Sequence, residues 1–218
     1  MKLRHYLISL VVFCGTLNTI HAQTTGSKND MGASERNRQD KDLSILVHPV
    51  GFGPTGTITQ GLTLGFFINP NSVINIELKN GKKFSFLGDI LGQYRVNQSS
   101  LGIYYKQFTN TSFYFKAGVD YRTVDYSYNY TGWFNSTENT QFIGSSTALT
   151  FAIGNHWQFS NFTLGCDWVG INLPIIYQTI SESTDGSAQN PTRLADEKDN
   201  YLKKSSLLVT NFYLGFSF

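Results

Sequence analysis

The chain is short of charge. Asp, Glu, Lys and Arg make 15% of its 218 residues, against about 25% in a typical soluble domain. The formal net charge is +2, so composition offers no basic surface for nucleic acid. Cysteine is scarcer still. Cys14 falls in a candidate leader, which leaves Cys166 without an intrachain partner and the sequence without a metal-type Cys/His cluster. Long apolar runs are also lacking. Beyond the first segment nothing stays apolar for the roughly 18 residues that a membrane-crossing helix needs. What is plentiful is aromatic side chains, at 15%, and glycine, at 20 residues. Mean hydropathy is only −0.20.

The start of the chain reads as an export signal. Lys2, Arg4 and His5 form a basic head, residues 6–13 an apolar run, and Ile20-His21-Ala22 a cleavage site with a small last residue. Residues 1–22 are therefore expected to be a signal peptide. The run is short for an anchoring helix, and bulky Phe13 before Cys14 does not suit a lipid-attachment site. Residues 23–42 are polar with mixed charge, and a flexible periplasmic segment is expected there.

The informative pattern in the remainder, residues 43–218, is alternation. From the carboxyl end backwards, Phe218, Phe216, Leu214, Phe212, Thr210 and Leu208 share one face of an extended chain. Ser217, Gly215, Tyr213, Asn211 and Val209 share the other. Strand side chains alternate with period two, so one face is apolar and the other small or polar. Residues 43–51, 57–68, 73–86, 93–108, 113–125, 145–157 and 162–173 also read as strands. In the first, Pro49 marks a strand end or bulge. The third is expected to run through Asn80-Gly81, because Phe84 and Phe86 keep the parity of Ile74 and Ile76. In the fifth, Phe113, Phe115, Ala117, Val119 and Tyr121 alternate with Tyr114, Lys116, Gly118, Asp120 and Arg122. A basic group near the middle of a bilayer costs about 2–4 kcal/mol, so that charged face must meet a lumen or water. In the seventh, Phe162, Leu164, Cys166 and Trp168 oppose Thr163, Gly165, Asp167 and Val169.

Connections at 69–72, 109–112 and 159–161 are tight-turn sequences. Those at 126–144 and 175–204 read as long loops. Alternating short and long connections between about eight strands give an all-β fold, an antiparallel up-and-down transmembrane β-barrel. Phe108, Phe113, Trp157, Phe159 and Phe162 lie beside the short turns, where an aromatic girdle would sit.

The final strand, ending on Phe218, resembles the closing strand of a bacterial outer-membrane β-barrel. Residues 43–218 resemble the small OmpA- and OmpX-type transmembrane barrels. The resemblance implies that Phe212, Leu214, Phe216 and Phe218 are read by the barrel assembly machinery. It also implies a monomer in the bacterial outer membrane, cleaved near Ala22, among outer-membrane lipid and lipopolysaccharide. It specifies architecture and leaves activity open.

Chemistry has three places to sit. Glu77, Lys79, Lys106, Lys116, Asp120, Arg122 and Asp167 are expected to face the lumen as a charged network, since buried charges need partners. That network would fill the barrel; the alternative is a narrow ion or solute channel. The second place is an outer-membrane lipid A-modifying site, which in such barrels uses His with Ser and an acid. His48 and His156 remain after the leader, but neither has a nucleophile and acid nearby in sequence, and no enzyme is expected. The third is Tyr126, Tyr128, Tyr130, Trp133 and Phe134, which read as a surface-binding patch or as the outer girdle. The expected function is a structural and surface-interaction scaffold that displays extracellular loops, with no cofactor or metal and no nucleic-acid partner.

Overall fold

A computed structural model describes residues 32–53, 56–83, 93–131, 137–186 and 191–218. They belong to one compact unit, Gly32–Phe218. The strands are β1 (Leu43–Phe52), β2 (Thr57–Asn69), β3 (Ser72–Lys83), β4 (Gln93–Phe108), β5 (Phe113–Thr131), β6 (Thr137–Phe159), β7 (Phe162–Gly186) and β8 (Ser206–Ser217). Each pairs antiparallel with its sequence neighbours, and β8 returns to β1, so the sheet closes into a barrel. Closure reaches the last residue: Leu43 N donates to Phe218 O at 3.1 Å and Phe218 N to Leu43 O at 2.8 Å. A closed ring leaves no edge amide to meet hydrocarbon.

The alternating residues take the faces that the pattern assigns through most of the ring. Leu62, Leu64 and Phe66 of β2, Leu101 and Ile103 of β4 and Phe115 and Tyr121 of β5 are exposed on the outside. Their neighbours Thr63, Tyr104, Lys116 and Asp120 are buried within. An apolar band of this extent would be unusual on a soluble monomer and suits a lipid-facing wall. β3 runs through Asn80-Gly81 to Lys83 without turning; Phe84 and Phe86 lie outside the described residues, as do residues 1–31.

Three strands change face midway; in β1 the change falls at Pro49 and Val50, which are both exposed. In β7, Asp167 is buried while Trp168 and Val169 are both exposed, because the register against β6 slips between Ile153 and Gly154. In β8, Thr210 adopts φ 45°, and the exposed series passes from Phe212 to Val209 and Leu207. Val169 and Val209 therefore face outward, and Leu208 and Thr210 leave the outer face expected of them. A single extra residue in a strand swaps every side chain beyond it. Cys166, on the outward parity, is fully buried in the wall.

The connections depart further from expectation. β5 continues to Thr131 and β6 starts at Thr137, so residues 126–144 are mostly a hairpin of long strands rather than a loop. β7 continues to Gly186, and an α-helix (Pro191–Lys198, α2) and a π-helical turn (Asp199–Lys203) follow it. The lead-in is ordered as well. Where a flexible segment is expected, Ala33–Arg38 form a short helix, α1, numbered before α2 in chain order. With 19, 23 and 25 residues in β5, β6 and β7 against 10 in β1 and 12 in β8, one side of the wall stands far above the other.

Candidate functional site

The lumen is built in layers. At the turn end, Leu46, Val73, Phe108, Tyr114 and Tyr213 form an apolar and aromatic cluster. At the opposite, rim end, Val96, Val124, Tyr126, Tyr128 and Phe142 pack with Leu194, Tyr201 and Leu202 from the β7–β8 connection. Charged groups occupy the space between. Small residues make the room: an added Cβ on Gly102 would strike the Tyr104 ring, and one on Gly165 the Tyr213 ring. Aromatic rings thus lie flat against wall positions that carry no side chain.

The charged layer centres on Lys116. Its Nζ donates to Glu77 Oε1 at 2.6 Å and to Asp167 Oδ2 at 3.2 Å, and it lies 4.3 Å from the centre of the Tyr104 ring. Lys79 donates to the other Glu77 oxygen at 2.7 Å. Asp167 also accepts from the Tyr114 hydroxyl and, at 2.9 Å, from Asn211 Nδ2. Lys106 donates to the Tyr213 hydroxyl at 3.2 Å and lies over the rings of Tyr114 and Tyr213. Arg122 stands higher and donates to Ser146 Oγ and Tyr201 O. All seven expected lumenal charges therefore point inward. Ion pairs join Glu77, Lys79, Lys116 and Asp167 into one network, while Lys106 and Arg122 are held by rings, hydroxyls and a carbonyl. A buried charge must find such partners or neutralise.

Both ends of this layer are covered. At the turn end α1 rests across the three tight turns. Arg38 is wholly buried; its Nε donates to Pro70 O at 2.7 Å, its Nη2 to Thr111 O at 3.0 Å, and its guanidinium lies 4.0 Å from the centre of the Phe108 ring. Asn37 donates to Gln158 O at 2.8 Å, and Asn71 to Glu35 Oε1 at 2.8 Å. Burial lowers the Arg38 guanidinium to about 10, with Glu35 acting the other way, so it remains charged at neutral pH. Phe108, placed in the girdle by its position beside a turn, points inward instead to meet Arg38. Phe159 and Phe162 are exposed outside, and Phe113 and Trp157 are half-buried. At the rim end, Tyr201 and Leu202 are driven into the barrel mouth, and Lys83 donates to the Tyr201 hydroxyl at 2.8 Å.

The aromatic patch also differs from expectation. Tyr126 and Tyr128 are buried, and Tyr126 stacks on Phe142 at 5.1 Å. They share the parity of Lys116 and Asp120, so extending β5 carries them inside the ring rather than onto a contact surface. The β5 backbone includes Tyr130, but its side chain, with Trp133 and Phe134, lies outside the described residues. Phe212, Leu214, Phe216 and Phe218 are exposed on the outer wall.

His48 is the one place where, among the described residues, an arrangement familiar from catalysis appears. Its Nε2 is 2.6 Å from Thr63 Oγ1 and its Nδ1 is 3.1 Å from Asn211 Oδ1. Because Asn211 Nδ2 is committed to Asp167, its oxygen faces His48, so Nδ1 carries the proton and Nε2 accepts from Thr63. Nucleophile, base and orienting group are thus within reach of one another. Sequence spacing could not show it, since the three come from β1, β2 and β8. Thr63 is 1% exposed and lies off the lumenal cavity wall, so no reacting carbonyl fits beside it. His156 lies near the turn end, with Nδ1 3.2 Å from the Tyr213 hydroxyl. Among the described residues no cluster of three His, Cys, Asp or Glu could hold a metal ion.

The fold is that of the small outer-membrane-type barrels: eight antiparallel up-and-down strands closed in a ring, with an apolar outer wall and a filled polar interior. Among solved structures, a major outer membrane protein from Thermus thermophilus shares it, at a TM-score of 0.54 and 10% identity, over 81% of this chain and 99% of that one. Acinetobacter baumannii CarO and CarO2 superpose at TM-scores of 0.45, each 13% identical, over 80% and 83% of this chain and 96% and 100% of theirs. No protein-family model and no curated protein matches the sequence.

Proposed function

We propose that this chain is a monomeric bacterial outer-membrane barrel that serves as a sealed scaffold for surface interaction rather than as a pore or an enzyme. The observation that carries this reading is the double closure of the lumen, by α1 at one end and by Tyr201 and Leu202 at the other. In this reading the tight turns and α1 face the periplasm, and the raised wall of β5–β7 stands outside. Its interacting surface is the upper part of β7. Above the last β8 partner, Asn172, that strand has no strand partner on one side among the described residues; Lys198 and Lys203 of the connection reach Glu182 and Tyr177, and Ile175, Ile176, Tyr177 and Ile180 are all exposed. The outer wall meets lipid and lipopolysaccharide, and the terminal aromatic series engages the assembly machinery during insertion.

Trypsin treatment of intact cells, with fragments mapped by mass spectrometry, tests the orientation. Cleavage at Lys198, Lys203 or Lys204, with Lys106 and Lys116 untouched, is the expected result. If those loop sites are cut only after the outer membrane is opened, the orientation is reversed and the surface reading fails.

A further inference from the structure

Above its apolar band the outer wall carries cations on two neighbouring strands. On β3 the outward series Ile74, Ile76, Leu78 gives way to Asn80 and Lys82. On β4 the series Tyr105, Ile103, Leu101 gives way to Ser99, Asn97 and Arg95. The register sets Lys82 opposite Asn97 and Arg95 further up, opposite Ser127 of β5. Such diagonal neighbours lie about 7–8 Å apart. Both cations are exposed, and neither side chain has a hydrogen bond or an ion pair among the described residues. The remaining lysines and arginines of the described strands, Lys79, Lys83, Lys106, Lys116 and Arg122, take the inward parity. Asp125, exposed on β5 opposite Asn97, pairs with neither cation, so the cluster keeps a net positive charge.

Height decides what this cluster meets. With a rise of about 3.3 Å per residue and a tilt of about 40°, Lys82 stands about 10 Å, and Arg95 about 15 Å, above the last apolar residue of its own strand. The headgroup layer adds about 5–7 Å beyond the hydrocarbon. Long lysine and arginine stems bring their charges down to such a layer. Ammonium and guanidinium groups bind phosphate, and the side chains of Asn80, Asn97, Ser99 and Ser127 surround them with neutral donors.

We propose that Lys82 and Arg95 form a binding site for the phosphate of a lipid headgroup, that of the phosphorylated sugar of lipopolysaccharide in the orientation given above. The choice of leaflet rests on that orientation; the chemistry of the pair does not.

The test titrates the purified barrel in dodecyl maltoside with diphosphorylated lipid A and with the same lipid after phosphatase treatment, read by native mass spectrometry. The phosphorylated lipid should bind at least about tenfold more tightly. Lys82→Gln with Arg95→Gln should remove that advantage and leave binding of the dephosphorylated lipid unchanged. Asp125→Asn should widen the advantage by about threefold. Equal binding of the two lipids by the wild type, or a double variant that keeps the preference, overturns the proposal. If the double variant does not fold, an unchanged preference in Asp125→Asn overturns it instead. Displacement of the lipid by millimolar inorganic phosphate overturns the lipid as the source of the phosphate. Reversed trypsin accessibility would move the pair to the inner leaflet without altering these affinities, so the two readings fail separately.

Discussion

Lys116 is the residue on which the interior charge balance turns, because two carboxylates share its ammonium. Replacing it with methionine keeps the length of the side chain and leaves Glu77 and Asp167 facing each other without it. Removing one partner of a buried ion pair costs about 3–5 kcal/mol. Lys116→Met should lower stability by that amount in urea unfolding of the barrel, and Lys116→Met with Glu77→Gln should recover part of it. A second test lies at Thr210, a β-branched residue at φ 45°. Such a conformation stores strain that glycine does not feel. Thr210→Gly should stabilise the barrel by about 1 kcal/mol, read as a higher midpoint in the same urea titration. The inward charges are legible in sequence because alternation assigns them a face and the cost of charge in lipid excludes the other. The partners of those charges are not, since Glu77, Lys116 and Asp167 come from three strands and only the register brings them together.

Among the elements, α1 shows what local pattern leaves out. Six residues are too few for helix propensity to act alone, so the segment reads as polar tail. Its order comes from Arg38, which reaches two turn carbonyls and the Phe108 ring. Arg38→Ala should therefore free the segment while the ring stays closed. Tryptic cleavage after Arg36 in the purified barrel should quicken at least about tenfold, if Arg38 holds α1 by about 1.4 kcal/mol or more. An unchanged rate would mean that Asn37 and Glu35 hold the helix without Arg38. The π-helical turn is hidden for a similar reason. Residues 175–204 are polar enough to pass for an open loop, and only Leu194, Tyr201 and Leu202 hint at a buried side. Tyr126 and Tyr128 were within reach of the sequence: continuing the parity of Lys116 and Asp120 along β5 places them inside.

In the proposed reading the barrel of Gly32–Phe218 is plugged. An eight-stranded barrel has an interior about wide enough for its own side chains, and here two further segments cover the ends. Planar-bilayer recording of the purified protein should show no stepwise conductance, and Arg38→Ala should remain silent because the charged layer still blocks the path. Regular current steps from the wild type would instead favour the narrow-channel alternative. Strand number and inside-outside assignment could be read from the sequence because lipid forces a repeating choice at every second residue. Unequal strand heights could not, because above the bilayer that choice relaxes and a tall hairpin looks like a loop.

The seam between β1 and β8 contains two slips. Val47 faces Leu214, but Val50 faces Phe212, so β1 has gained a residue at Pro49; further up, Gly51 faces Asn211 and Phe52 faces Val209, so β8 has gained one at Thr210. In the language of crystal defects these are a pair of edge dislocations of opposite sign on one line, and their combined displacement is zero. The lattice of backbone bonds therefore joins correctly below and above them, with a misfit confined to the few residues between. Deleting Pro49 alone or Thr210 alone would leave an uncancelled displacement in this seam; because Thr210 lies opposite an extra residue of β7, Trp168, only deleting Pro49, Trp168 and Thr210 together would restore a continuous lattice at this level. The single deletions should fold poorly in detergent refolding assays and the triple deletion better than any of them, a rescue that ordinary additive damage does not produce.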